Sequence, residues 1–174
     1  MKKVLLVLLL AAVLTTGTAF ADDPRPDGFG IGVFGGWGGG WQGGSGSANF
    51  GLALHAANIY WGVNLAIRDH WFNIAVSGDF LTLLGGNIAG PFGWYIDVGL
   101  YGGIGIWSPP APIDGGILLD FGARLPIGLN VNLQVIDLWL AFIPRIGLGI
   151  GLYEGGGLGL GGGWGPEFGI RVWF

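Results

Sequence analysis

The groups able to do chemistry in this chain of 174 residues are few: two histidines, eleven acids, seven basic residues and no cysteine. Without a thiol there is no Cys nucleophile, no thiolate metal site and no disulfide framework. His55 and His70 are the only imidazoles. Neither is followed two positions later by a Ser, as a His-x-Ser deacylase pattern requires, and neither has an acid placed to form a catalytic set. Glycine motifs of the Gly-x-Gly-x-x-Gly kind arise by chance among 39 Gly, and none leads into the Lys-Ser or Lys-Thr of a phosphate loop. Asp97, Asp114 and Asp120 lack the spacing of a calcium loop. The reading is non-enzymatic, with no catalytic residues, no metal and no cofactor.

What remains is a set of charges: Asp97, Asp120, Arg124, Arg145, Glu167 and Arg171. Guanidinium groups pair bidentately with carboxylates, and charges removed from water persist only when paired. If one element face collects these six, they form a network of salt bridges. If such pairs exchange partners, they could instead gate a narrow water path.

The elements that would position them are strands. Phe29 to Val33 and Ile146 to Leu152 alternate an apolar residue with Gly, a spacing a helix could hold only at about 1 kcal/mol per Gly relative to Ala. The same period of two recurs in eight segments, over residues 29–33, 50–56, 59–67, 72–80, 94–106, 117–131, 138–152 and 164–174. One parity carries no charge in any of them. The other holds His55, Tyr60, Asn64, Asn73, Ser77, Asp79, Tyr95, Tyr101, Asn130, Trp139 and all six charges, interleaved with Gly and Ala. A water-facing surface would be rich in Lys, Glu, Ser and Thr; this one suits a crowded interior. Each inward Gly either receives a bulky neighbour such as Tyr95, Tyr101 or Trp139 or leaves a void.

The first 21 residues predict the route. Lys2 and Lys3 precede an uninterrupted apolar run from Val4 to Leu14, and Ala19-Phe20-Ala21 forms an A-x-A cleavage site. That run is too short for the roughly 20 residues of a membrane helix, so residues 1–21 are expected to be a cleaved secretory signal. The remaining domain, 22–174, carries 5 Arg against 11 acids and no Lys, which leaves nothing basic to attract nucleic acid. Secretion together with an apolar outer parity predicts an all-β fold: a transmembrane, antiparallel up-and-down β-barrel of eight strands in the outer membrane. Trp37, Trp41, Trp71, Trp94, Trp107 and Trp164 fall beside expected turns and read as interfacial girdles. Connections are expected over 38–47, 68–70, 108–115 and 154–163 on the outer side, with a long inner turn over 81–91.

The terminal run Phe168-Gly-Ile-Arg-Val-Trp-Phe174, with apolar side chains at Phe168, Ile170, Val172 and Phe174, is similar to the signal that assembly machinery reads in bacterial barrels. With Gly122-Ala-Arg-Leu-Pro-Ile-Gly-Leu129 and Ile143-Pro-Arg-Ile-Gly-Leu148, it resembles small eight-stranded outer-membrane proteins of uncharacterised function, spirochaete-type ones included. In architecture the chain is similar to the OmpX, OmpA-transmembrane-domain and OmpW barrels. The resemblance implies outer-membrane lipids, periplasmic chaperones and the barrel-assembly machinery as partners. It also implies a structural or surface-interaction role with a closed interior, or alternatively a narrow OmpW-like path for small solutes.

Overall fold

The computed structural model describes residues 25–40, 44–68, 70–108, 115–153 and 155–174. The expected signal segment, with its cleavage residues Ala19 and Ala21, lies outside the described residues, as does Trp41. The described chain is all-β: β1 (Gly30–Gly40), β2 (Gly44–Ala56), β3 (Ile59–Arg68), β4 (Trp71–Ala89), β5 (Phe92–Trp107), β6 (Gly116–Arg124), β7 (Ile127–Asn132), β8 (Ile136–Phe142), β9 (Arg145–Leu152), β10 (Leu158–Trp164) and β11 (Pro166–Trp173). Three pairs of these are single barrel strands interrupted once. β6 continues into β7 across Leu125-Pro126, β8 into β9 across Ile143-Pro144, and β10 into β11 across Gly165. Proline has no N–H to give a ladder, and here the gaps lie side by side: Leu125 N donates to Pro144 O at 3.0 Å and Ile143 N to Gly165 O at 2.9 Å.

Eight antiparallel strands result, each paired with its sequence neighbour, and β1 closes the ring against β10 and β11. Closure is staggered. Passing from partner to partner, Gly30 leads to His55, Tyr60, Asp79, Gly99, Arg124, Arg145 and Gly163, and returns to β1 at Gly40, ten residues from the start. Such a shear obliges the strands to tilt. It also strings inward residues of every strand along one rising belt.

The period of two sorts the faces as the sequence predicts. Leu52, Val63, Ile74, Leu100, Leu129 and Ile146 are exposed on the outside, whereas Ala53, Asn64, Tyr95, Arg124, Asn130 and Arg171 are buried within. The inward glycines receive rings rather than leaving holes. Phe34 lies against Gly51 and Gly62, Tyr95 against Gly128, Trp139 against Gly169 and Trp71 against Gly105. Any Cβ at Gly128 would strike the Tyr95 ring.

Three expectations are corrected. Residues 81–91 are no turn: β4 runs to Ala89 and meets β5 through Gly90-Pro91 alone, with register shifts near Phe80, Leu83 and Ile88. Those bulges break the strict alternation that marks a strand in the sequence. Past Asp79, β4 is paired on its β5 side only, because β3 has ended at Ile59. Two of the outer connections are shorter than expected, since β1 extends to Gly40, β2 begins at Gly44 and β10 begins at Leu158, whereas those at 68–70 and 108–115 fall where the sequence places them. Gly-rich sequence there looks like loop, yet pairing with β9 holds it in the sheet. Finally, Trp71 and Trp107 do not belong to an outer girdle, for both stand at inward positions, as cross-strand partners. Trp37, Trp94 and Trp164 do face outward and exposed.

The face assignment has a direct test. Leu100→Arg places a cation on the outer face and is expected to cost about 2 to 4 kcal/mol if it lies near the bilayer midplane. Gly102→Ala on the same face, whose Cβ meets nothing closer than 3.8 Å, is expected to be near neutral. Urea unfolding of both variants from lipid vesicles checks the difference.

Candidate functional site

The lumen divides into two halves of different chemistry. At the end where the chain enters and leaves, it is packed with paired charges. Arg25, just before β1, reaches inward to the part of β4 that has outrun β3. Its guanidinium donates to both Asp97 oxygens, at 2.7 and 3.0 Å, and to Thr82 Oγ1 at 3.0 Å. It lies between the rings of Tyr60 and Tyr95, 3.8 and 4.1 Å from their centroids. A guanidinium held by a bidentate carboxylate and two ring faces is well matched on every side. Asp97 is 1 % exposed.

Two more cations complete this half. Arg171 faces its register partner Asp137 at 3.5 Å and packs on Trp139, Tyr60 and Trp173. Asn130 Nδ2 donates to Asp137 at 3.3 Å. Arg124 is ion-paired with Asp79 at 3.0 Å and with Glu167 at 3.7 Å, and donates to Ser77 Oγ at 2.7 Å. The space left among these groups is about 30 Å³, on the scale of a single water. His55 also sits in this end, its Nδ1 2.5 Å from Gly28 O and its ring against Tyr60 and Trp173.

The six charges of the sequence analysis are therefore brought together only in part. Arg124 and Glu167 meet. Arg124 and Arg145 are register partners, but Arg171 lies farther along the barrel, opposite Asp137, so the three arginines are not side by side. Asp97 serves Arg25 rather than any of them. Asp120 and Arg145 face the other half of the lumen and form no ion pair among the described residues.

Three participants escaped the sequence reading. Asp79 was placed inside but not in the network, although the register that pairs it with Gly99 beside Arg124 was implicit in the strand order. Asp137 shares the parity of Trp139 two residues on, a signal that was present. Arg25 precedes the first strand, where no periodicity operates; its one mark is being the only basic residue between Asp22 and Ile67.

The other half holds more space among the described residues. Between the ends of the strands lies a cup of about 690 Å³, walled by Trp71, Trp107, Leu118 and Tyr153 and floored by Asn49, Asp120, Arg145 and Glu167.

A closed eight-stranded ring with an apolar exterior and a charged interior can be compared with known structures. No protein-family model matches the chain, and no curated protein matches it in sequence. Among solved structures it is similar to Neisserial surface protein A (NspA), at 10 % identity and a TM-score of 0.52, covering 85 % of this chain and 98 % of that one. The fold is that of a small outer-membrane β-barrel. Ail, the attachment invasion locus protein of Yersinia pestis, aligns at 12 % identity over 83 % of this chain and 96 % of that one with a TM-score of 0.38.

Within this barrel the two partners of Arg124 are not equivalent. Asp79→Asn removes the 3.0 Å partner, leaves Arg124 with Glu167 and Ser77, and is expected to cost about 1.5 to 3 kcal/mol, the range for a hydrogen bond to a charged group. Glu167→Gln leaves Asp79 in place and is expected to cost less. The temperature at which the folded band converts to the unfolded one on unheated gels ranks the two. Gly128→Ala, by forcing Tyr95 off Arg25, is expected to lower stability by about 1 to 3 kcal/mol.

Proposed function

We propose that this protein is an integral outer-membrane β-barrel that acts at the cell surface as a structural or interaction protein and does not conduct. The observation that carries the reading is the set of three ion-paired arginines, Arg25, Arg124 and Arg171, filling the half of the lumen nearest the termini and leaving about 30 Å³ between them. Each has an acidic partner, so none is free to coordinate a passing ion without breaking a buried pair.

Arg25, the C-terminal Phe174 and the turns Ala57-Asn58, Gly90-Pro91 and Leu133 to Val135 share one end of the barrel. Short turns belong to the periplasmic side of outer-membrane barrels, so this end faces the periplasm and the cup faces outward. Ala57 and Asn58 both have positive φ, the geometry of the tightest two-residue hairpins. The exposed side chains of Phe168, Ile170, Val172 and Phe174 line the outer face of the last strand, which supports their reading as an assembly signal. Lipid, periplasmic chaperones and the assembly machinery are the partners that follow.

Planar-bilayer recording of the refolded full chain tests the proposal, with insertion verified beforehand by protease protection. No single-channel steps are expected. Reproducible steps from the wild type would instead establish the narrow solute path.

A further inference from the structure

The cup has no part in closing the barrel, and its walls and floor have the composition of a receptor. Its volume of about 690 Å³ falls within the range of about 300 to 1,000 Å³ typical of small-molecule sites. Trp71 lies flat across Gly105 and has Trp107 as its cross-strand neighbour. Tyr153 covers Gly116 and Gly151 in the same manner. These rings therefore line the cup as flat panels, held against the wall by glycines that leave them room.

The floor is different. Asn49, Asp120 and Arg145 line it, an amide, a carboxylate and a guanidinium. Between them these groups both accept and donate hydrogen bonds. An occupant has to offer hydroxyl-like groups able to do both, at several points around its perimeter, while resting apolar faces on the indole and phenol rings.

An acyl chain would fit the walls but offer nothing to the amide, carboxylate and guanidinium of the floor. A simple inorganic ion would satisfy Arg145 but leave the aromatic panels and most of the volume unused. A sugar satisfies both requirements, because its hydroxyls lie around the ring edge and its C–H groups form an apolar face that packs on aromatic rings. We infer that the cup is a binding site for a short, uncharged oligosaccharide. The inference rests on the proposed orientation, which exposes the cup to the outside, and on the closed floor beneath it. Conductance reports on that floor and ligand titration on the cup, so the two readings fail separately.

Isothermal titration calorimetry of the folded full chain in detergent, with maltose, lactose and chitobiose as probes, tests it. At least one probe is expected to give saturable heat below about 10 mM, the range of millimolar affinities. Trp71→Ala and Asp120→Ala are each expected to weaken that binding at least tenfold. Trp94→Ala, on the outer face, is expected to leave it unchanged. Folding of each variant is read from its unheated gel band, and the Asp120 variant leaves the aromatic walls intact should Trp71→Ala fail to fold. The inference is overturned if none of the three sugars gives heat, if folded Trp71→Ala and Asp120→Ala bind as well as wild type, or if an apolar dye fills the cup while no sugar does.

Discussion

Every backbone N–H and C=O that faces a hydrocarbon layer must find its partner within the protein, and this requirement shapes the rest of the molecule. It explains why Gly-rich stretches with so little intrinsic preference for order, such as Ile146 to Leu152, hold together here. The ring of pairings from β1 round to β11 and back satisfies the ladder without an edge along the closed part of the wall. The alternation of side chains then follows from the pleat alone. Outward positions are apolar and exposed, and inward positions are released from that pattern.

That release is what allows charge inside. A ring of eight strands leaves little width, so each inward side chain competes with those opposite. Rings are accommodated by placing glycine where they lie, and cations by placing carboxylates within 4 Å of them. Small and large residues thus interdigitate across the lumen in one half. In the other half the large residues stay against the wall, and space remains. The boundary between the halves runs near Arg124 and Arg145, adjacent on the rising belt: one is ion-paired, the other turns to the cup.

Strand number, face parity and the presence of interior charges were all legible in the sequence, because a period of two survives any uncertainty about where strands end. Pairings were legible only where register is forced. Arg124 and Arg145 are brought level by one hairpin, and the next hairpin keeps a single register from Leu158 with Ile150 to Val172 with Ile136, which sets Arg171 opposite Asp137 and away from Arg145; the turn position that fixes this register is hidden in the Gly-rich run before Trp164. Arg25 could not be located because it belongs to no strand. The bulges of β4 hid nine residues of sheet for a related reason: a bulge shifts parity, and counting by twos loses the strand after Phe80. Trp71 was misread because tryptophan near a strand end serves a lipid interface or an interior equally well, and only its odd position on β4, shared with Asn73 and Ala75, distinguishes them.

The closing pair differs from all others in the distance it must travel. Seven of the eight pairings join strands adjacent in sequence, whereas β1 and β11 bring together residues 131 to 143 positions apart, from Gly36 with Glu167 to Gly30 with Trp173. Loop closure costs entropy that grows with the logarithm of the span, and long-range pairings slow folding. The hairpins can therefore zip in any order, but sealing the cylinder is a single late event, and until it occurs the glycine-rich margin of β1 is an unsatisfied ribbon. That seam is the pairing with the largest loop-closure cost in the barrel.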